Sequence, residues 1–166
     1  MTLTPDPTLL FDIDDKMRAF CRESHDYDAN VSRWIHAAGD RYRVSLYLRW
    51  LKFDRHRQPL PAPILVLASL ENLADNSGDL LPAQATELEQ GETSKVTGQA
   101  HGLGIFAAMR ATSESLLAEG AIREIQCEHV SNAFLARSLA RNNYRQIEGS
   151  EMTWSTNAAA LKLPRA

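Results

Sequence analysis

Apolar and polar positions along the chain follow two different periods. Leu10, Ile13, Met17 and Phe20 recur at helical spacing after Asp6-Pro7. An Asp cap followed by Pro at the first helical position is a start signal, so residues 7 to 23 read as an amphipathic helix. Val31, Trp34, Ile35 and Ala38 form a second stripe. Asp28 and Asn30 lead into it and Gly39 stops it, and the spacing predicts a second helix. The period then changes. Val44, Leu46, Leu48 and Trp50 alternate with Arg43, Ser45, Tyr47 and Arg49, which is strand behaviour.

Gln58-Pro59-Leu60-Pro61-Ala62-Pro63 reads as a connection, because each proline removes a ladder donor. The unbroken run Ile64 to Ala68 reads as a strand buried on both faces. Residues 71 to 92, rich in Asn, Asp, Gly, Gln and Glu, read mostly as a surface loop. Phe106, Met109, Ser113, Leu116 and Leu117 then mark a helix that Gly120 closes. Ile122 to Cys127 predicts a short strand. A further helix carries Phe134, Leu135 and Leu139, with Ser131-Asn132 at its start. Tyr144 to Trp154 predicts one final strand, bent at Gly149, and residues 157 to 166 a frayed tail. Strands alternating with helices in the second half predict an α/β layer structure.

The chain has 166 residues, of which 44% are hydrophobic and 23% charged, and a net charge of −3. That length fits a single domain over residues 1 to 156. The composition excludes a disordered or collagen-like chain. The charge removes a whole-protein electrostatic case for nucleic acid. Cys21 and Cys127 have neither metal-ligand nor disulfide-framework spacing, so two buried thiols in a reducing compartment are expected and no metal site. No apolar run approaches the length needed to cross a bilayer, and Met1 to Pro7 lacks a basic leader. A cytoplasmic protein without membrane contact is the expectation.

The segment Gln99-Ala100-His101-Gly102-Leu103-Gly104 opens directly into a helix. Glycines there let backbone amides approach a ligand, and a first helical turn offers unpaired N–H groups and partial positive charge to a phosphate. The hexapeptide fits Gln/Arg-x-x-Gly-x-Gly/Ala and resembles the coenzyme A pyrophosphate loop of the GNAT acyltransferase superfamily. The run from Ser131 to Arg145 is similar to that family's closing segment, in which an Asn opens a helix that ends in a Gly-Phe turn. Here Asn143-Tyr144 stands in place of Gly-Phe. Asn is the next best residue for a left-handed helix end. The resemblance covers Val96 to Trp154, about a third of the chain.

The resemblance implies a GNAT-like α/β fold: a mixed twisted sheet, helices on both faces, and a cleft where two central strands splay apart. It implies that acetyl-CoA or another acyl-CoA binds there. Val96 would lie beside the pantetheine arm, the amides of Gln99, Ala100, His101, Gly102, Leu103 and Gly104 would hold the pyrophosphate, and Asn132 would sit near the thiol end. The implied activity is N-acyl transfer to an amine on a small molecule or protein.

Many members of the family protonate the leaving thiolate with a tyrosine in the last helix. Alignment on Asn132 and Tyr144 puts Leu139 there, and leucine cannot donate a proton. Ser138 is its neighbour, about 100° round the helix. The usual base is a Glu on the strand before the loop, and Glu87, Glu89 and Glu92 are nearby. Glu92 and Ser138 are therefore the catalytic candidates. Cys127 and His129, two apart, would face one side of an extended strand as a thiol–imidazole pair. Two rival functions remain. One is a pared-down GNAT-like protein that works by binding a partner protein, similar to those carried by bacteriophages as virion components or host-directed factors. The other is a nucleic-acid module using the basic and aromatic residues from Arg41 to Arg57. An oligomer is compatible with each.

Overall fold

The computed structural model describes residues 5–77, 103–130, 133–150 and 152–163. Helix α1 (Pro7–His25) begins as its sequence signals, with the Asp6 carboxylate accepting from the Leu9 N–H at 3.2 Å. Strands β1 (Val31–Ala38), β2 (Tyr42–Phe53) and β3 (Pro59–Asp75) follow as a meander. Helix α2 (Ile105–Ala118), strand β4 (Glu124–Cys127) and helix α3 (Ala133–Arg141) come next. The short hairpin β5 (Arg145–Gln146) and β6 (Trp154–Asn157) completes the sheet. The strand order is β1-β2-β3-β4-β6-β5. Among the described residues only β3 and β4 run parallel, with α2 between them in sequence, and every other pairing is antiparallel. The fold is α/β with a mixed, open sheet.

One apolar cluster holds the molecule together. Leu9, Ile13, Met17 and Phe20 of α1 meet Leu46, Leu48 and Trp50 of β2, Leu65 and Leu67 of β3, and Met109, Leu116 and Leu117 of α2. Leu139 of α3 and Tyr144 join the same cluster. The expected helices on both faces are thus not met among the described residues, since all three described helices feed one cluster. The opposite face carries only the small patch Ile64, Val66 and Ala68, packed with Tyr47, Leu51 and Leu60. The run Ile64 to Ala68 is buried on both faces, as its continuous apolar character requires.

Five expectations about particular segments are corrected. Residues 31 to 38 form a strand, not a helix. Their apolar positions fit either period over so short a window. The deciding residue is Ala37, which is buried in alternation with Ile35 while all eight residues pair with β2. The tight turn at Gly39-Asp40-Arg41, closed by the Gly39 N–H to the Tyr42 carbonyl at 2.8 Å, makes the hairpin.

The proline-rich segment belongs to β3. Leu51 pairs with Ile64 and Phe53 with Pro59, so Lys52 alone faces Leu60 to Pro63. Prolines survive in this irregular stretch because little of the ladder there needs a donor. The strand also runs on to Asp75, past the expected loop start at 71. Tyr144 to Trp154 is not one strand, since Gly149, at φ 82°, lies in the turn of the β5–β6 hairpin. Nor is the chain frayed from 157. The Leu161 N–H bonds the Asn157 carbonyl, and Ala158, Leu161 and Leu163 pack on the core.

Helix ends follow the sequence closely. Gly120, at φ 77°, stops α2, and the Ala121 N–H returns to the Leu116 carbonyl. Asn143, at φ 64°, stops α3 in the left-handed conformation expected of it. The Tyr144 N–H then returns to the Leu139 carbonyl at 3.0 Å, and the ring turns into the core at 2% exposure. Among the described residues no helix is long and apolar enough to cross a membrane.

Candidate functional site

Strands β3 and β4 sit side by side at the centre of the sheet but pair over only four positions, Ile64↔Glu124 to Leu67↔Cys127. One more bond, from the Glu128 N–H to the Leu67 carbonyl, closes the contact. At that point β3 bulges. Leu48 pairs with Leu67 while Tyr47 pairs with Ser69, leaving Ala68 without an opposite residue on β2. Bulges bend a strand and re-aim its side chains, and they gather beside functional sites. Beyond the bulge β3 continues to Asp75, whereas β4 ends at Cys127. His129 then turns the chain in a left-handed conformation, at φ 57°, that few non-glycine residues adopt.

A groove of about 830 Å³ lies at this parting, within the size range of small-molecule sites. Ser32, Trp34, Tyr47 and Arg49 form its floor from β1 and β2, with Ala68, Ser69 and Glu71 from β3. Glu128, His129 and Met152 complete the lining. Trp34 and Tyr47 are directly opposed across β1 and β2, their ring centroids 5.0 Å apart and tilted by 37°. Arg49 donates to Glu128 at 2.7 Å, tying β2 to the turn after β4. The Ser69 hydroxyl donates to Glu71 at 3.1 Å. The Val130 N–H bonds the Met152 carbonyl at 2.9 Å and holds the wall to the β5–β6 hairpin.

Of the candidates drawn from the sequence, Glu92, Val96, Gln99, Ala100, His101, Gly102 and Asn132 lie outside the described residues. Leu103 and Gly104 are described. Leu103 is buried at 3% exposure. Gly104, at φ 74°, caps α2 without a side-chain partner, and its carbonyl accepts the Ala108 N–H at 2.9 Å. Leu103 is itself helical, so the chain enters α2 through a left-handed step at Gly104. A Cβ built on Gly104 would meet Leu10 Cδ1 at 3.8 Å, which is ordinary contact, so its neighbours do not crowd the backbone there. Leu103 and Gly104 thus stand at the head of α2, directly after the segment that the resemblance assigns to the pyrophosphate.

Ser138 lies on α3 and is not part of the groove lining. Leu139, aligned with the family's tyrosine, is 0% exposed and faces the core. Cys127 and His129 do not form a pair. The Cys127 thiol points into the core, where burial pushes its pKa up to about 12, while His129 lines the groove on the other side of the sheet. The left-handed turn at His129 breaks the two-residue alternation that the pairing assumed. Tyr144 is buried too, its hydroxyl donating to Glu114 at 3.3 Å. Burial first, then the neighbouring Cys127 and Glu114, raise its pKa far above the ordinary phenol value.

The aromatic and basic residues from Arg41 to Arg57 are divided among several settings, with Arg41, Arg43, Arg55, His56 and Arg57 exposed. Alternation along β2 buries Tyr42 and Trp50, and Tyr47 lines the groove. Arg49 is paired with Glu128, and the Lys52 ammonium caps the carbonyls of His25 and Tyr27.

Sequence reading missed Trp34, Tyr47, Arg49, Glu71, Glu128 and Met152 as neighbours, because five separate segments supply the groove. One signal for Glu71 was present. A Glu on the strand before the loop is what the resemblance asks for, and β3 reaches far enough to carry it. No protein-family model matches the chain, and no match is found among curated protein sequences. Among the described residues no group of three or more His, Cys, Asp or Glu could hold a metal ion.

Proposed function

We propose that this protein is an acyl-CoA-dependent N-acyltransferase acting on an amine of a small molecule or protein, within a GNAT-like fold. The observation that supports this reading most is the parting of β3 and β4 at the Ala68 bulge. It opens a groove beside the two strands that flank α2, the helix that follows the glycine-rich segment. The left-handed Asn143 and buried Tyr144 support it too, reproducing the physical role of a Gly-Phe helix stop.

Bound acetyl-CoA supplies an activated thioester carbonyl. The chain must hold the phosphates, position the amine and accept its proton. Leu103, Gly104 and the first amides of α2, with the segment from Gln99 to Gly102, would hold the pyrophosphate, and Val96 and Asn132 would lie along the arm. Glu71 is the proton acceptor, directly or through a water, because it is the groove carboxylate with no cationic partner among the described residues. With Leu139 in the core, no side chain of α3 protonates the leaving sulfur, and water does so.

Calorimetry and thermal shift with acetyl-CoA test this. Ligand at one hundred times its Kd should stabilise the fold by about 2.7 kcal/mol. Gly102→Glu should abolish that stabilisation while the unliganded melting temperature stays within a few degrees. Release of free thiol with an amine panel then reads the activity. No stabilisation by millimolar acetyl-CoA refutes the proposal.

A further inference from the structure

We propose that the groove at the β3–β4 parting binds a primary ammonium carried on an apolar body. The ammonium would lie against Glu71 and the body across Trp34, Tyr47 and Met152. That such a molecule is the acyl acceptor rests on the acyltransfer reading above; that the groove binds it does not.

The charges in the groove argue for a single cation. Arg49 is neutralised by Glu128 at 2.7 Å. Glu71 receives the Ser69 hydroxyl at 3.1 Å, and no basic side chain pairs with it among the described residues. Among the described lining residues one carboxylate is thus left over, and the other ionic side chains, Arg49 and Glu128, cancel. A phosphate or carboxylate ligand would meet net repulsion. A zwitterion would have to displace Glu128 from Arg49, and a linear polyamine would bring ammonium groups that find no second free carboxylate among the described lining residues.

The walls argue for the apolar body. Trp34 is 39% exposed and Met152 43% exposed, both unusually open for large apolar side chains. Trp34 and Tyr47 pack on each other with centroids 5.0 Å apart, and the ring surface they leave open attracts a cation and covers an alkyl or aryl group alike. Because β1 and β2 run in full register there, the rings are fixed by the sheet and little ordering is needed on binding.

The test is calorimetric titration of the full chain with 2-phenylethylamine, 2-phenylethanol, ethylamine and spermidine, followed by intrinsic tryptophan fluorescence. 2-Phenylethylamine should bind at least about tenfold more tightly than its neutral alcohol, the range expected of a charge-assisted contact. It should also bind more tightly than ethylamine and spermidine. Glu71→Gln should weaken it about tenfold, and Trp34→Ala about fivefold by loss of a cation–ring contact. Glu71→Gln should keep the wild-type melting temperature, and Trp34→Ala should stay within a few degrees of it, since it loses one cross-strand ring contact of about 0.2–1 kcal/mol.

Equal affinity for the alcohol, tighter binding of spermidine, or no effect of Glu71→Gln overturns the inference. Acetyl-CoA is titrated separately. Amine binding without acetyl-CoA binding upholds the groove assignment and removes the acyltransfer reading. Acetyl-CoA binding with no amine selectivity removes the groove assignment alone.

Discussion

Replacing Asp6 by Asn tests how the fold is tied at its first helix. The Asp6 carboxylate is 2% exposed and accepts four backbone N–H bonds, from Leu9 at 3.2 Å, Asp40 at 3.1 Å, Arg41 at 2.8 Å and Tyr42 at 3.0 Å. One group therefore caps α1 and closes the β1–β2 turn. Asn keeps one acceptor and turns an NH₂ toward the donors that the other oxygen served. Asp40 and Arg41 are exposed and can rehydrate, but Leu9 and Tyr42 are buried. Oδ1 serves Leu9 and Asp40 while Oδ2 serves Arg41 and Tyr42, so either placement of the amide leaves one buried donor facing an NH₂, at about 1–3 kcal/mol, and removes the charge that strengthens the bonds that remain; the variant should lose about 2–4 kcal/mol. At about 2–4 °C per kcal/mol for a chain of this size, the melting temperature should fall by about 10 °C.

The pH dependence supplies a second readout. Burial raises the Asp6 pKa, but the four N–H donors outweigh it and hold the group below the ordinary carboxylate value. A carboxylate with a lowered folded pKa stabilises the fold above its unfolded pKa, and that contribution is lost as pH falls through the folded value. The gap between wild type and Asp6→Asn should therefore be full at pH 7 and shrink below about pH 4. Urea melts at pH 7, 4 and 3 measure it. A loss under 1 kcal/mol at pH 7, or a gap that stays constant down to pH 3, refutes the reasoning.

Gly39→Ala attacks the same knot from the other side. Its Cβ would sit 2.5 Å from both Asp6 Oδ2 and the Leu9 nitrogen, and the latter is backbone that cannot swing away. A loss of about 2–3 kcal/mol is expected in urea melts, and it should be less than additive with Asp6→Asn. Cys21 and Cys127 are buried and each is pushed up to about 12 by desolvation, so a disulfide reagent at pH 8 should titrate neither quickly in the folded chain and both in urea. Fast reaction of either thiol in the native protein contradicts their placement. Leu139→Tyr, which installs the residue that the resemblance aligns there, should destabilise by about 1–3 kcal/mol through overpacking and bring no gain in thiol release. A rise in activity would show that α3 faces the reacting centre after all.

Local signals were legible where chemistry acts over a few residues. Asp6-Pro7 started α1, Gly120 stopped α2 and Asn143 stopped α3, because caps and left-handed ends are properties of single residues and their nearest neighbours. The run from Ile64 to Ala68 declared a central strand, because a segment covered on both faces cannot carry polar side chains. By contrast, β1 was misread, because Val31, Trp34, Ile35 and Ala38 suit both periods and the partner strand makes the choice. The prolines of β3 misled for a similar reason. Whether a missing N–H matters depends on what lies opposite, and there Lys52 alone faces four residues.

By itself, then, the order of residues determined where α1 begins and where α2 and α3 end, which two thiols are buried, and which segment resembles a phosphate-holding turn. Only the tertiary structure decided that Trp34, Tyr47, Arg49, Glu71, Glu128 and Met152 line one groove. These positions span more than a hundred residues and come together through strand pairing, a bulge at Ala68 and a left-handed turn at His129. None of those has a local signature, because each is set by the register between segments distant along the chain.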